Sequence, residues 1–262
     1  MPPEQWVSHR RRRGTLRMKV LISPTSYEEA ASILDTGVDI IDVKNVNEGS
    51  LGAQFPWHIR QIVELTGPRG IKTSATLGDL PFKPGTAALA AYGAALTGVT
   101  YIKAGLYGMK TFEEALAMMD AVRRAVRMAS DTATVVAAGY ADWRRFGGLS
   151  PDDLVRAARD ARCDLVMVDT AIKDGHDLFD NMSLDELRRF ICQAREAGLM
   201  VALAGSLKWE HAERLLELDP TLIGVRGSVC LGKDRMTAIS PEKAHRFVEH
   251  FHSRTSAQQP VS

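Results

Sequence analysis

Three short apolar stretches of this sequence end in lysine or aspartate. In Asp39–Asn45, Asp42 and Lys44 alternate with Ile41 and Val43. If the stretch is a strand, alternation sets both charged side chains on one face and the two apolar ones on the other. In Tyr101–Gly105, Lys103 takes the face opposite Ile102. In Met167–Thr170, Asp169 shares the phase of Met167, and Lys173 follows four residues later. The helix-facing side of such strands must be apolar, so Asp42, Lys44, Lys103 and Asp169 are expected to point inward. A lysine removed from water and set beside other cations loses proton affinity, and its neutral amine attacks a carbonyl to form a Schiff base. Aspartates oppose that shift, yet they orient an amine or relay protons in the iminium steps. The competing reading is a set of ion pairs that braces the interior. Recurrence on three strands at the same end speaks against it, because unneeded buried charge is costly.

Two later stretches end in glycine and serine: Ala204-Gly205-Ser206 and Val225-Arg226-Gly227-Ser228. Gly205 and Gly227 would let the backbone approach an anion, and Ser206 and Ser228 would offer hydroxyl donors. Amine and anion site together suit a small phosphorylated aldehyde. The segments 45–52 and 78–85 are glycine-bearing; each reads as a lid, a second phosphate clamp or an ordinary loop. Seven scattered histidines with no HxxxH or Cys/His cluster give no support for a metal. No nicotinamide fingerprint is present, and no cofactor is expected.

The elements that must position these residues alternate along the chain. Strand-like runs cover 19–23, 39–43, 71–76, 100–104, 134–138, 164–168, 200–204 and 222–225. Helical patterns lie between them. Tyr27–Leu34 follows Ser26, and Thr111–Ala129 places Phe112, Ala115, Met119 and Val122 on one stripe. Ser150-Pro151-Asp152-Asp153, Ser183–Glu186 and Ser240-Pro241-Glu242 carry the cap, proline and acid signals of helix starts. Eight β-then-α units with no dividing linker predict the α/β class and a single (β/α)8 TIM barrel, whose sites form at the C-terminal ends of strands. The loops after its last two strands commonly hold phosphate. A doubly wound open sheet is the runner-up, but it would prefer a GxGxxG turn where this chain has Ser23-Pro24-Thr25-Ser26.

Length and composition agree with one large domain: 262 residues, 45% apolar and 25% charged. A net charge of +1, from 33 basic and 32 acidic residues, gives no reason to expect nucleic acid or a membrane as partner. Cys163, Cys192 and Cys230 are far apart and read as small apolar residues in a reducing, cytoplasmic setting. Residues 1–17, with the run Arg10–Arg13, read as a basic extension, 18–253 as the barrel and 254–262 as a polar tail. Homo-oligomerisation is left open.

Seven ordered stretches, Asp39–Asn45, Glu48–Ala53, Tyr101–Gly108, Val136–Asp142, Asp169–Gly175, Leu203–Ser206 and Gly224–Gly227, closely resemble the (5-formylfuran-3-yl)methyl phosphate synthase family of methanofuran biosynthesis. This family is also called 4-(hydroxymethyl)-2-furancarboxaldehyde-phosphate synthase. The resemblance runs from about Met18 to the last helix. It implies a lyase that condenses two glyceraldehyde 3-phosphate molecules to a phosphorylated furan aldehyde, with loss of phosphate and water. It further implies that Lys44 forms the Schiff base and Lys103 accepts a proton, while Asp42, Asp169 and Lys173 match other polar site residues. The rivals are a class I aldolase or transaldolase, which would keep its phosphates, and a catalytically silent phosphate-binding barrel.

Overall fold

The computed structural model describes residues 17–232 and 237–257. The basic run Arg10–Arg13 and the end of the expected tail lie outside the described residues. Eight strands, β1 Lys19–Ile22, β2 Ile40–Val43, β3 Lys72–Asp79, β4 Tyr101–Gly105, β5 Thr134–Tyr140, β6 Leu165–Asp169, β7 Met200–Leu203 and β8 Leu222–Val225, close into one barrel. Every neighbouring pair is parallel, and β1 pairs with β8 to complete the ring. The open-sheet alternative is therefore excluded.

The helices are α1 Tyr27–Ser32, α2 Pro56–Thr66, α3 Pro84–Ala95, α4 Phe112–Ala129, α5 Pro151–Asp160, the short α6 Leu178–Asn181, α7 Leu184–Glu196, α8 Ala212–Leu218 and α9 Pro241–Ala257. Their starts follow the cap chemistry of the sequence. Ser26, Thr111, Ser150 and Ser183 each accept an amide hydrogen bond from the residue three positions on. In α4 the stripe Ala115, Met119 and Val122 is buried against the strands, as its period requires. The last helix continues to Ala257, into the stretch expected to be tail.

Two apolar layers result. Alternate strand residues such as Ile41, Ile102, Val135 and Val168 pack with the helices. The opposite residues, including Ile40, Tyr101, Val136, Met167 and Ala202, fill the barrel itself. Two strands run past their expected ends. β5 continues in phase to Tyr140, and β3 reaches Asp79 across a register shift after Thr76. A shift of this kind re-aims the residues beyond it, and no simple alternation in the sequence announces it.

Candidate active site

The five charged residues singled out in the sequence meet at the C-terminal mouth of the barrel. The Lys103 ammonium donates to Asp42 Oδ1 at 2.6 Å, and Ser23 Oγ donates to the other oxygen at 3.0 Å. Lys103 is only 2% exposed and Asp42 1%. Burial by itself would raise the Asp42 carboxyl, but Lys103 and Lys44 outweigh it and hold the group below its ordinary value. Across the mouth, Lys173 Nζ donates to Asp169 Oδ1 and to Thr170 Oγ1, each at 2.9 Å. The Thr170 amide donates to the same Asp169 oxygen at 2.7 Å. Burial opposes ionisation of Asp169 too, yet Lys173 and Lys44 bring its carboxyl down to about 2.

Lys44 sits between these two pairs, half-buried, with its ammonium 3.4 Å from the carbonyl oxygen of Ser50. Desolvation lowers its proton affinity, Asp169 and Asp42 restore part of it, and Lys103 and Lys173 lower it again, leaving a pKa of about 8. Roughly one Lys44 in ten is then the free amine at pH 7, against about one in three thousand for an ordinary lysine. A cavity of about 520 Å³ between α1 and α2 reaches this strand end, lined by Thr25, Ser26, Tyr27, Val43, Lys44 and His58 among others.

Several residues at the mouth were not singled out from the sequence. Asp142 accepts the amides of Ala171 and Ile172 at 2.9 and 2.8 Å, and so shapes the turn that carries Lys173. Tyr140 donates its hydroxyl to Asp79 by passing over Gly105. A Cβ on Gly105 would lie 2.5 Å from that hydroxyl, so only glycine leaves room for it. Burial first, then Asp79, pushes the Tyr140 phenol well above its ordinary value. Tyr107 and Phe146 stack at 4.7 Å, with Tyr140 edge-on to both. The in-phase extension of β5 was the available signal for Tyr140; Asp79 had none, because the shift in β3 breaks the alternation.

The expected anion loops look different in detail. Gly205 has φ +108°, and a Cβ there would meet Thr170 Cγ2 and its amide nitrogen at 3.0 and 3.1 Å. Its glycine requirement thus comes from backbone conformation and from packing on Thr170. Ser206 is exposed and left-handed (φ +49°). Gly227 opens a short 3-10 turn, Gly227–Val229, in which the Ser228 hydroxyl donates to the Leu207 carbonyl and ties the two loops together. Arg226, between them, is turned toward β1 and donates to Ser23 O at 2.9 Å and Glu29 Oε2 at 2.8 Å.

Burial pushes the Cys163 thiol up to about 12. Among the described residues no group of three His, Cys, Asp or Glu side chains could hold a metal ion. No helix among them is long and apolar enough to cross a membrane.

A closed eight-stranded parallel barrel with its charges gathered at the C-terminal mouth defines the (β/α)8-barrel class. Over residues 20–248 the sequence matches the 4-HFC-P synthase family, and the chain belongs to that family of enzymes. The (5-formylfuran-3-yl)methyl phosphate synthase of Archaeoglobus fulgidus is 54% identical over 235 residues, covering 90% of this chain and 100% of that one. The protein of the same name from Methanothermobacter thermautotrophicus is 51% identical over 220 residues, covering 84% and 92%. Phosphoribosyl anthranilate isomerase from Thermus thermophilus superposes with a TM-score of 0.54 at 17% identity, covering 92% of this chain and 100% of that one, which is a likeness of fold alone.

Proposed function

We propose that this protein condenses two molecules of glyceraldehyde 3-phosphate to (5-formylfuran-3-yl)methyl phosphate in the biosynthesis of a methanofuran-type cofactor, through a Schiff base on Lys44. The observation that carries the reading is the Lys44 amine, lowered to about 8 and flanked by the Lys103–Asp42 and Lys173–Asp169 pairs. The names of the half-identical relatives support the product.

In this mechanism the free amine of Lys44 adds to the aldehyde carbon and water leaves, forming an iminium. The iminium withdraws electrons from the adjacent carbon and acidifies its proton, which Lys103 accepts as its own ammonium proton shifts along the 2.6 Å hydrogen bond to Asp42. The electron pair left behind forms an enamine, which expels the phosphate β to the former carbonyl. The enol so formed attacks, through its terminal carbon, the central carbonyl of the second triose phosphate in its ketone tautomer. Loss of two waters closes the furan, and hydrolysis of the iminium frees the formyl group and Lys44. Asp42 orients Lys103, and Asp169 holds Lys173 at the mouth to meet anionic substrate. The Ser206 hydroxyl and the backbone at Gly205, Gly227 and Ser228 are the phosphate contacts of this reading.

Borohydride reduction in the presence of glyceraldehyde 3-phosphate, followed by peptide mass mapping, tests it. The expected result is one triose-derived adduct on Lys44, with inorganic phosphate and a furan chromophore released in turnover. Retention of both phosphates would indicate an aldolase. An adduct on Lys173 would move the nucleophile, and no adduct would leave a phosphate-binding barrel without this chemistry.

A further inference from the structure

The segment 45–52 leaves the end of β2 and crosses the mouth. Ser50, itself buried, donates its hydroxyl to the Thr170 carbonyl at 2.8 Å, just beyond β6. Since β6 stands four strands round from β2 in an eight-strand ring, this contact spans the opening. Leu51 is 0% exposed and belongs to the apolar cluster inside the barrel with Ile40, Tyr140 and Met167. Its carbonyl accepts from Thr76 Oγ1, and its amide donates to Asp79 Oδ2 at 3.2 Å. Gly49 lies against the same carboxylate: a Cβ there would be 2.2 Å from Asp79 Oδ2, and its φ of +136° is one that side chains rarely adopt. The other oxygen of Asp79 is held by the Tyr140 hydroxyl.

We propose that segment 45–52 is a lid over the barrel mouth and that Asp79, fixed by Tyr140, is the positioning residue that latches it through the Leu51 amide. Closed, the lid leaves Lys103 and Asp42 beyond the reach of any aldehyde from solvent, so substrate enters with the lid open. Closure then sets the Ser50 carbonyl beside the Lys44 nitrogen, as in the free protein, and excludes water from the proton transfers. A part-buried amide–carboxylate bond suits a latch, because it is charge-assisted yet reversible when water replaces it. The inference rests on the proposed use of Lys44 only for its consequence in turnover. The latch itself is a property of the free protein.

Hydrogen exchange on the parent, Asp79→Ala, Tyr140→Phe and Gly49→Ala proteins, paired with borohydride trapping by glyceraldehyde 3-phosphate, tests the latch. In Asp79→Ala the Leu51 amide should exchange roughly tenfold faster or more, while strands β4 to β7 keep their protection. Gly49→Ala leaves Asp79 and Tyr140 in place and should release the same segment, which covers the case in which Asp79→Ala fails to fold. Tyr140→Phe retains the carboxylate and should give a smaller increase. Opening also rehydrates Lys44, which faces Asp42, Asp169, Lys103 and Lys173, so the pH midpoint for trapping should move upward in Asp79→Ala. Unchanged Leu51 exchange in folded Asp79→Ala and Gly49→Ala proteins would overturn the latch. So would an increase in Tyr140→Phe as large as in Asp79→Ala, which would mean general loosening of the mouth. If the parent protein is not trapped on Lys44, the functional reading fails, and exchange alone still decides the latch.

Discussion

The Lys103 ammonium and the Asp42 carboxylate lie 2.6 Å apart with both side chains almost wholly out of water. Such a pair gives little net stability, since desolvation offsets most of the attraction, but breaking it strands a charge. Lys103→Met should therefore destabilise the fold by about 3–5 kcal/mol, and Asp42→Asn added to it should restore part of the loss. Urea denaturation of the two single variants and the double variant measures the coupling. Simple additivity would show that the two groups are not paired in solution.

Lys103→Arg separates charge from proton transfer. The guanidinium keeps the positive charge for Asp42 but does not deprotonate near neutral pH. Turnover should fall by at least about 10²-fold while the borohydride adduct on Lys44 still forms. Near-parent turnover in this variant would place the base elsewhere.

The trapping rate at Lys44 should climb with pH and level off above about 8, where the amine is neutral. Stability follows the same group with a definite sign. Folded Lys44 releases its proton near 8, while the unfolded chain holds it to about 10.5. Between those values the unfolded state binds more protons, so the contribution of Lys44 to stability rises with pH. The stability difference between parent and Lys44→Met proteins, followed from pH 7 to 10.5, should therefore shift in favour of the parent; a flat difference would mean an unperturbed lysine.

Gly105→Ala should displace Tyr140, because the new methyl would lie 2.5 Å from the phenol oxygen and 2.8 Å from the Gly78 carbonyl. A loss of about 1–3 kcal/mol is expected from such overpacking. Adding Tyr140→Phe removes the hydroxyl in the way and should recover part of that loss. A double variant less stable than the sum of the single effects would argue against this contact.

The two glycines of the proposed phosphate loops should respond differently. Gly205→Ala should act on folding, by about 1–3 kcal/mol, because its φ is positive and Thr170 crowds the Cβ position. Gly227→Val should leave the protein folded and weaken competition by inorganic phosphate. Ser206→Ala should cost binding on the order of 1 kcal/mol, the loss of one hydroxyl donor. Undiminished phosphate competition in folded Gly227→Val would move the anion away from this loop.

Much of this protein was determined locally. Strand alternation with an apolar outer face put Asp42, Lys44, Lys103 and Asp169 on the inner side before any contact was known, because a two-residue period is a property of the backbone. The repeated β-then-α order led to the barrel, and the caps Ser26, Thr111, Ser150 and Ser183 marked helix starts with side chains that bond their own neighbours. Partnership was decided only by tertiary structure. The choice of Asp42 for Lys103, 61 positions away, follows from the register of the closed ring rather than from either segment. Asp79 enters the mouth because β3 slips register after Thr76, which resets the phase on which sequence reasoning depends. Leu51 fills the barrel from a loop, and Gly205 is glycine because Thr170 lies against it. Such facts depend on where distant strands end in space, and no window of neighbouring residues contains that information.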